Sequence, residues 1–385
     1  MVGLSATSQP AADRAVMTSP RVSHAPAVLT IDLDAICDNW KALERRVGRA
    51  DCGAVVKANA YGLGAKRIAP ALYAAGCRHF FVAHLDEAIA LRQRVAREAA
   101  VYVLHGPLPR TEAAFVEYDV IPVLNSLPQI GAWRTLARHL DRTLPALLQI
   151  DTGMARLGVS QGDLDTLSEG NALHGIDVLF LMSHLVSAED PSCDINRSQL
   201  ERFVRARSRF PHARATLANS SGIFLGDEYH FDLVRPGAAL YGIAPTIARD
   251  NPMRAVIRLE ARVIQLRTID AGTSVGYGHR WTAQRRSRIA TVAVGYADGY
   301  LRSSGNRGFV HIQGARAPVV GTVSMDTLLV DVTDVAMPVH EGSLVELAGD
   351  NIGIDDLARA AGTIGYEVLT ALGERYERAY IGDPR

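Results

Sequence analysis

The sequence predicts an α/β protein: an N-terminal (β/α)8 barrel of TIM type followed by a mostly antiparallel β-domain. Three observations carry this reading. Short apolar runs recur near residues 53–57, 79–83, 101–104, 120–124, 145–150, 177–183, 213–218 and 231–234. Their spacing of roughly 20–30 residues leaves room for a helix between each strand and the next. Beyond residue 256 the pattern changes to short strand-like runs at 256–266, 288–294, 309–312, 318–320, 328–332 and 344–347, parted by turns containing Gly, Asp or Asn. Finally, nearly every run of the first set ends on a polar residue. A doubly wound open sheet is the competing arrangement, but no Gly-x-Gly-x-x-Gly fingerprint follows a first strand.

The elements follow in order. Residues 1–26, rich in Ser, Ala and Pro, lack the continuous apolar core of a signal peptide and read as a disordered tail. A strand is expected at 27–31, then an amphipathic helix at 34–47 with Asp34 near its start. Further helical patterns cover 65–75, 86–96, 127–140 and 198–209. These assign 27–255 to the barrel and 256–385 to the β-domain; the first strand, 27–33, can belong to either. In the second domain only 354–361 reads as a helix. A length of 385 residues accommodates both domains.

Composition narrows the function. Hydrophobic residues make up 48% and charged residues 21%, as in a soluble globular protein. Lys+Arg and Asp+Glu number 41 each, so no net basic field recruits nucleic acid or anionic lipid. No apolar stretch reaches the ~20 residues of a membrane helix. The four cysteines, Cys37, Cys52, Cys77 and Cys193, have no CxxC spacing, which argues against a zinc site or a disulfide scaffold and for reducing cytoplasm.

Chemistry is expected at the strand ends, which converge on the C-terminal mouth of such a barrel. In order they are Lys57, His84, His105, Asn125, Asp151, His184, Asn219 with Ser220, and Arg235. Burial at a strand end lowers a lysine pKa and frees the amine for covalent chemistry, although one such lysine alone is more readily a side chain reaching to the surface. Arg156 and Arg235 at one mouth point to anionic ligands, or to structural ion pairs. Asn219-Ser220-Ser221-Gly222 and Gly237-Ala238 fall where barrels often grip phosphate. The histidines could be metal ligands, but no His-x-His pair marks the first strand, and no metal is assigned. In the β-domain, Tyr277 stands between Gly276 and Gly278. Gly295-Tyr296-Ala297-Asp298-Gly299 and Ser324-Met325-Asp326 are further unusual strings.

Taken in order, residues 55–64, 151–158, 219–220, 235–237, 275–278, 295–299 and 324–326 resemble the successive motifs of bacterial alanine racemases, and the likeness runs from about residue 27 to 381. The resemblance implies a pyridoxal-phosphate enzyme that interconverts L- and D-alanine. It implies that Lys57 carries the cofactor as a Schiff base and serves as one catalytic base. Tyr277, from the partner subunit of a homodimer, would be the other. Arg235 would face the pyridine nitrogen, with His184 against the ring. Tyr61, Asn219, Ser220, Tyr366 and the backbone of Gly237 and Ala238 would complete the cofactor site. Arg156, and Met325 from the partner, would bind substrate.

The residue types suit the reaction. Removing an α-hydrogen needs an electron sink, which the cofactor supplies. Inverting the centre needs a base on each face. Lysine and tyrosine have reference pKa values near ~10, so bases of these types need surroundings that favour loss of the proton.

The chain departs from the family pattern at Gln149, where many members carry a modified, negatively charged lysine. The Gln149 amide oxygen, or a bound anion such as chloride, is expected to position Arg156 instead. Leu63 and Ser324 also stand where the family often has histidine and cysteine. Other readings are a racemase for serine or several amino acids, a decarboxylase on the same plan, and a non-catalytic pyridoxal-phosphate-binding protein. The decarboxylases usually place a cysteine motif in the β-domain, whereas all four cysteines here precede residue 194. The binding proteins resemble the barrel alone.

Overall fold

A computed structural model describes residues 25–168, 172–247 and 249–382. Nearly all of the tail assigned to 1–26 lies outside the described residues. Seven parallel strands pair in chain order: Ala54–Val55, His79–Val82, Ala100–Val103, Ile121–Leu124, Leu144–Gln149, Ile176–Met182 and Arg214–Thr216. Leu233–Val234 completes the ring. It pairs in parallel with Asp51–Cys52, whose chain runs on through Gly53 into the first of the seven. Its other edge meets the seventh strand through Asp232 N–H to Ala215 O (3.0 Å) and Arg235 N–H to Ala218 O (2.9 Å). The apolar runs read from the sequence are therefore the staves of one barrel. Phe80, Phe81, Val101, Val103, Leu147 and Leu148 are fully buried, as strands covered on both faces require.

The second domain is an eight-stranded sheet curled on itself. The long strand Ile257–Ile269 pairs antiparallel with both Leu344–Ala348 and Ser287–Val292, and a register shift between Val263 and Gln265 lets it serve both neighbours. Ala27–Asp32 joins this sheet and not the barrel, with Leu29 opposite Leu259. On its other side it runs parallel to Glu377–Ile381. That last strand was not legible in the sequence pattern. Nor was the helix Gly365–Ala371, which corrects the expectation of a single helix at 354–361. It opens on glycine and spans only 7 residues, too few to show a helical period. Among the described residues no helix is long and apolar enough to cross a membrane.

The helix Leu33–Val47 leads from the second sheet to the barrel. Asp32 caps it, accepting the Ala35 N–H at 2.9 Å. Its apolar face buries Ile36, Trp40 and Leu43. The Trp40 indole N–H donates to Cys52 O at 3.2 Å, tying the helix to the first barrel strand. Trp40→Ala should therefore lower the free energy of unfolding by about 3–5 kcal/mol, measured by urea denaturation; a change within error would show that this contact is dispensable.

Candidate active site

The regular strand Ala54–Val55 stops short of Lys57. In the turn that follows, Ala58, Asn59, Ala60 and Tyr61 all have positive φ, between 52° and 54°. Left-handed backbone costs a non-glycine residue about 1–2 kcal/mol, so this run must be held by its surroundings. Gly62 N–H returns to Ala58 O and Gly64 N–H to Asn59 O, each at 2.8 Å. The Asn59 side chain accepts the Ala65 N–H at 2.9 Å, and Glu87 accepts that of Ala58 at 2.6 Å. The Tyr61 ring packs 4.7 Å from that of Tyr241 and 5.9 Å from that of Tyr366.

The ring of polar strand ends divides into two sets. Lys57, His105, His184, Asn219, Ser220 and Arg235 line one cavity of about 880 Å³ at the barrel mouth. Tyr61, Gln149, Arg156, Gly237, Ala238 and Tyr366 line it as well. His84, Asn125 and Asp151 do not. Asp151 organises its own loop by accepting the N–H groups of Gly153, Met154 and Ala155. Asn125 bonds to the carbonyls of Leu104 and Val123. His84 packs edge-on against His105, ring centres 4.6 Å apart.

The cavity is cationic. Arg235 is buried, donating to Thr216 Oγ1 (2.6 Å), Ser183 O (2.7 Å) and Leu217 O (3.2 Å). No carboxylate pairs with it among the described residues. Burial pulls its pKa down to about 9, which leaves it charged at neutral pH. Burial and the neighbouring Arg235, Arg156 and Lys57 push His184 down to about 3, so its imidazole is neutral. Lys57 is lowered from 10.5 by burial first and then by Arg156, with Glu87 opposing.

One residue was missed from sequence. Gln199, fully buried on the helix Ile195–Arg207, donates to His184 O (2.9 Å) and Thr152 Oγ1 (3.2 Å) and accepts the Val186 N–H at 3.0 Å. It joins the loop carrying His184 to the one leading to Arg156, and only its place on the inward helix face could have hinted at this. Gln149 is expected to position Arg156 through its amide oxygen or with a bound anion such as chloride, and the structure adds a backbone contact. Its amide nitrogen donates to Leu157 O at 3.2 Å, holding the backbone beside Arg156. No hydrogen bond among the described residues joins its oxygen to the guanidinium.

Tyr277 and Met325 do not line the cavity; they are 71% and 53% exposed on the second domain. The backbone around Met325 is tied to the 295–299 motif. Tyr296 N–H donates to Ser324 O and Ala297 N–H to Met325 O, each at 3.0 Å. A Cβ on Gly295 would fall 2.3 Å from both of those carbonyl oxygens, so the two motifs interlock only with glycine there.

Residues 31–245 match the family model for the alanine racemase N-terminal domain, and residues 256–380 that for its C-terminal domain. The chain belongs to the alanine racemase family. Similar proteins include the catabolic alanine racemase of Agrobacterium fabrum, 48% identical over 357 residues and covering 92% of each chain. The alanine racemase of Rhodospirillum rubrum is 48% identical over 362 residues, 93% of this chain and 97% of that one. Among solved structures, alanine racemase from Bartonella henselae, described with covalently bound pyridoxal phosphate, superposes with a TM-score of 0.90. It is 42% identical and covers 93% of this chain and 100% of its own. The biosynthetic alanine racemase of Pseudomonas aeruginosa gives 0.87 at 36% identity, with 93% and 100% covered.

The alanine racemase family uses pyridoxal phosphate, and the donor set here suits that group. The hydroxyls of Tyr61 and Tyr366 make no hydrogen bond with the described protein although Tyr61 is buried. Ser220 Oγ accepts the N–H groups of Gly237 (2.9 Å) and Ala239 (3.2 Å), leaving its own proton to donate. A Cβ on Gly237 would meet the Tyr61 hydroxyl at 2.4 Å, so this side of the cavity stays open only with glycine there.

The charge arrangement predicts a titration. In the cofactor-free chain Lys57 should lose its proton at a pH below 10.5. Arg156→Ala removes one cause of that shift and should raise the midpoint without restoring 10.5. NMR of isotopically labelled lysine would read both; an unchanged midpoint in the variant would remove Arg156 from the account.

Proposed function

We propose that the protein interconverts L- and D-alanine, with Lys57 holding pyridoxal phosphate covalently and acting as the proton-transferring base on one face of the substrate α-carbon. The observation that carries this is the meeting, in one cavity, of a depressed amine at Lys57 and a buried guanidinium at Arg235 that pairs with no carboxylate among the described residues. When bound, pyridoxal phosphate supplies the electron sink that acidifies an amino-acid α C–H bond. Tyr61, Ser220, Tyr366 and the backbone of Gly237 and Ala238 would hold its phosphate, with Asn219 alongside. Arg235 would meet the ring nitrogen and disfavour a proton there, and neutral His184 would lie against the ring. Arg156 would take the substrate carboxylate.

The second base is Tyr277, which acts in the cavity of another copy of the chain, with Met325 beside it. Their exposure on the second domain, outside the lining of their own chain's cavity, supports a homodimer with sites completed across the interface. The free thiols of Cys37, Cys52, Cys77 and Cys193 support the reducing cytoplasm. D-Alanine made there would serve peptidoglycan. Serine or a wider set of amino acids remains the alternative substrate class, resolved by activity on a panel of L-amino acids.

Tyr277→Phe is expected to retain the cofactor and lose racemisation by at least about 10²-fold, followed by circular dichroism and by deuterium entry into alanine in heavy water. Lys57→Ala should abolish the covalent link that borohydride traps. Full activity of Tyr277→Phe would overturn the two-base assignment. Bound cofactor without deuterium entry in the unaltered protein would favour a binding protein or another substrate.

A further inference from the structure

We infer that Glu87 is a positioning residue for Lys57, stapling the left-handed turn that carries the lysine to the end of the neighbouring barrel strand. The inference rests on the reading of Lys57 as the cofactor anchor. Glu87 lies in the first turn of the helix Leu85–Arg92. A glutamate at that place ordinarily accepts the N–H at the helix start and nothing more. Here one carboxylate oxygen does so, taking His84 N–H at 3.2 Å together with Ala83 N–H at 2.9 Å. The other oxygen reaches 29 positions back to accept the N–H of Ala58, the residue after Lys57, at 2.6 Å. Ala58 also opens the run of positive φ. Only a side chain with two acceptor oxygens and no donor can face both groups at once. Helix capping alone would leave the Ala58 N–H without this partner. The staple therefore holds the backbone from which the Lys57 side chain leaves, and Glu87 itself does not line the cavity.

The test compares the unaltered chain with Glu87→Ala and Glu87→Gln. Glutamine keeps the shape, but its amide nitrogen must face one of the donors, so it reads the staple even where alanine fails to fold. In the cofactor-free chain, hydrogen exchange at the Ala58 amide should accelerate roughly tenfold or more, with the second-domain amide of Val330 unchanged. At limiting pyridoxal phosphate, the fraction trapped on Lys57 by borohydride, located by peptide mass, should fall. Turnover counted per cofactor bound at Lys57 should drop roughly 10- to 100-fold, a normalisation that excludes molecules lost to unfolding. Unchanged exchange at Ala58 and unchanged trapping at Lys57 in both variants would overturn the inference. Failure of the unaltered chain to trap cofactor at Lys57 would instead remove the anchor reading, while the Ala58 exchange would still decide the staple.

Discussion

The site depends on the hydrogen bonds that close the barrel. Gly53 N–H reaches Val234 O at 2.9 Å and Val55 N–H reaches Pro236 O at 2.8 Å, joining the first strand to the last. Across this seam stand Lys57 on one side and Arg235, Gly237 and Ser220 on the other. They are far apart along the chain, and in an open sheet they would lie on opposite edges. Closure makes them neighbours. Strand geometry ends at Val55, beside the seam, and the left-handed backbone begins at Ala58.

Such a turn cannot hold itself. Its support comes partly from Glu87 on the next barrel unit and partly from the second domain. Arg378 donates to Gly62 O at 2.6 Å and Tyr380 to Leu63 O at 2.9 Å. The helix Gly365–Ala371 brings Tyr366 against Tyr61. The second domain therefore contributes to the barrel mouth within a single chain. Its own sheet begins with Ala27–Asp32, so the chain starts in the second domain, builds the barrel, and returns.

The electrostatics follow from the same enclosure. Lys57, Arg156 and Arg235 share a cavity in which Glu367 is the only acidic lining residue among those described. A cluster of cations taken out of water is costly unless anions join it. A phosphate and a carboxylate are the anions that the proposed reaction brings, so the charge deficit of the protein complements its ligands. Neutral His184 fits the pattern, since a further proton there would meet two arginines and a lysine.

Much of this was legible in the residue order. Apolar runs at regular spacing marked the eight barrel strands because burial on both faces demands continuous β-branched and aromatic residues. The helix 65–75 was read to its ends, since Gly64 and Gly76 bound it on both sides. Lys57, His184 and Arg235 stood out as polar residues following apolar strands. Periodicity was silent on Glu377–Ile381 and Gly365–Ala371, elements short enough that partners and not local pattern decide them. It could not divide the ring of strand ends, because Asp151, which binds its own loop, and His184, which faces the cavity, follow equally apolar strands. Residue order by itself determined the barrel, the second domain and the chemical types at the mouth, because these follow from burial and local propensity. Only the tertiary structure decided that Gln149 holds the backbone at Leu157, that Gln199 links the loop carrying His184 to the one leading to Arg156, and that Glu87 reaches back to the lysine turn. Each is a hydrogen bond between chain segments whose approach no local pattern encodes.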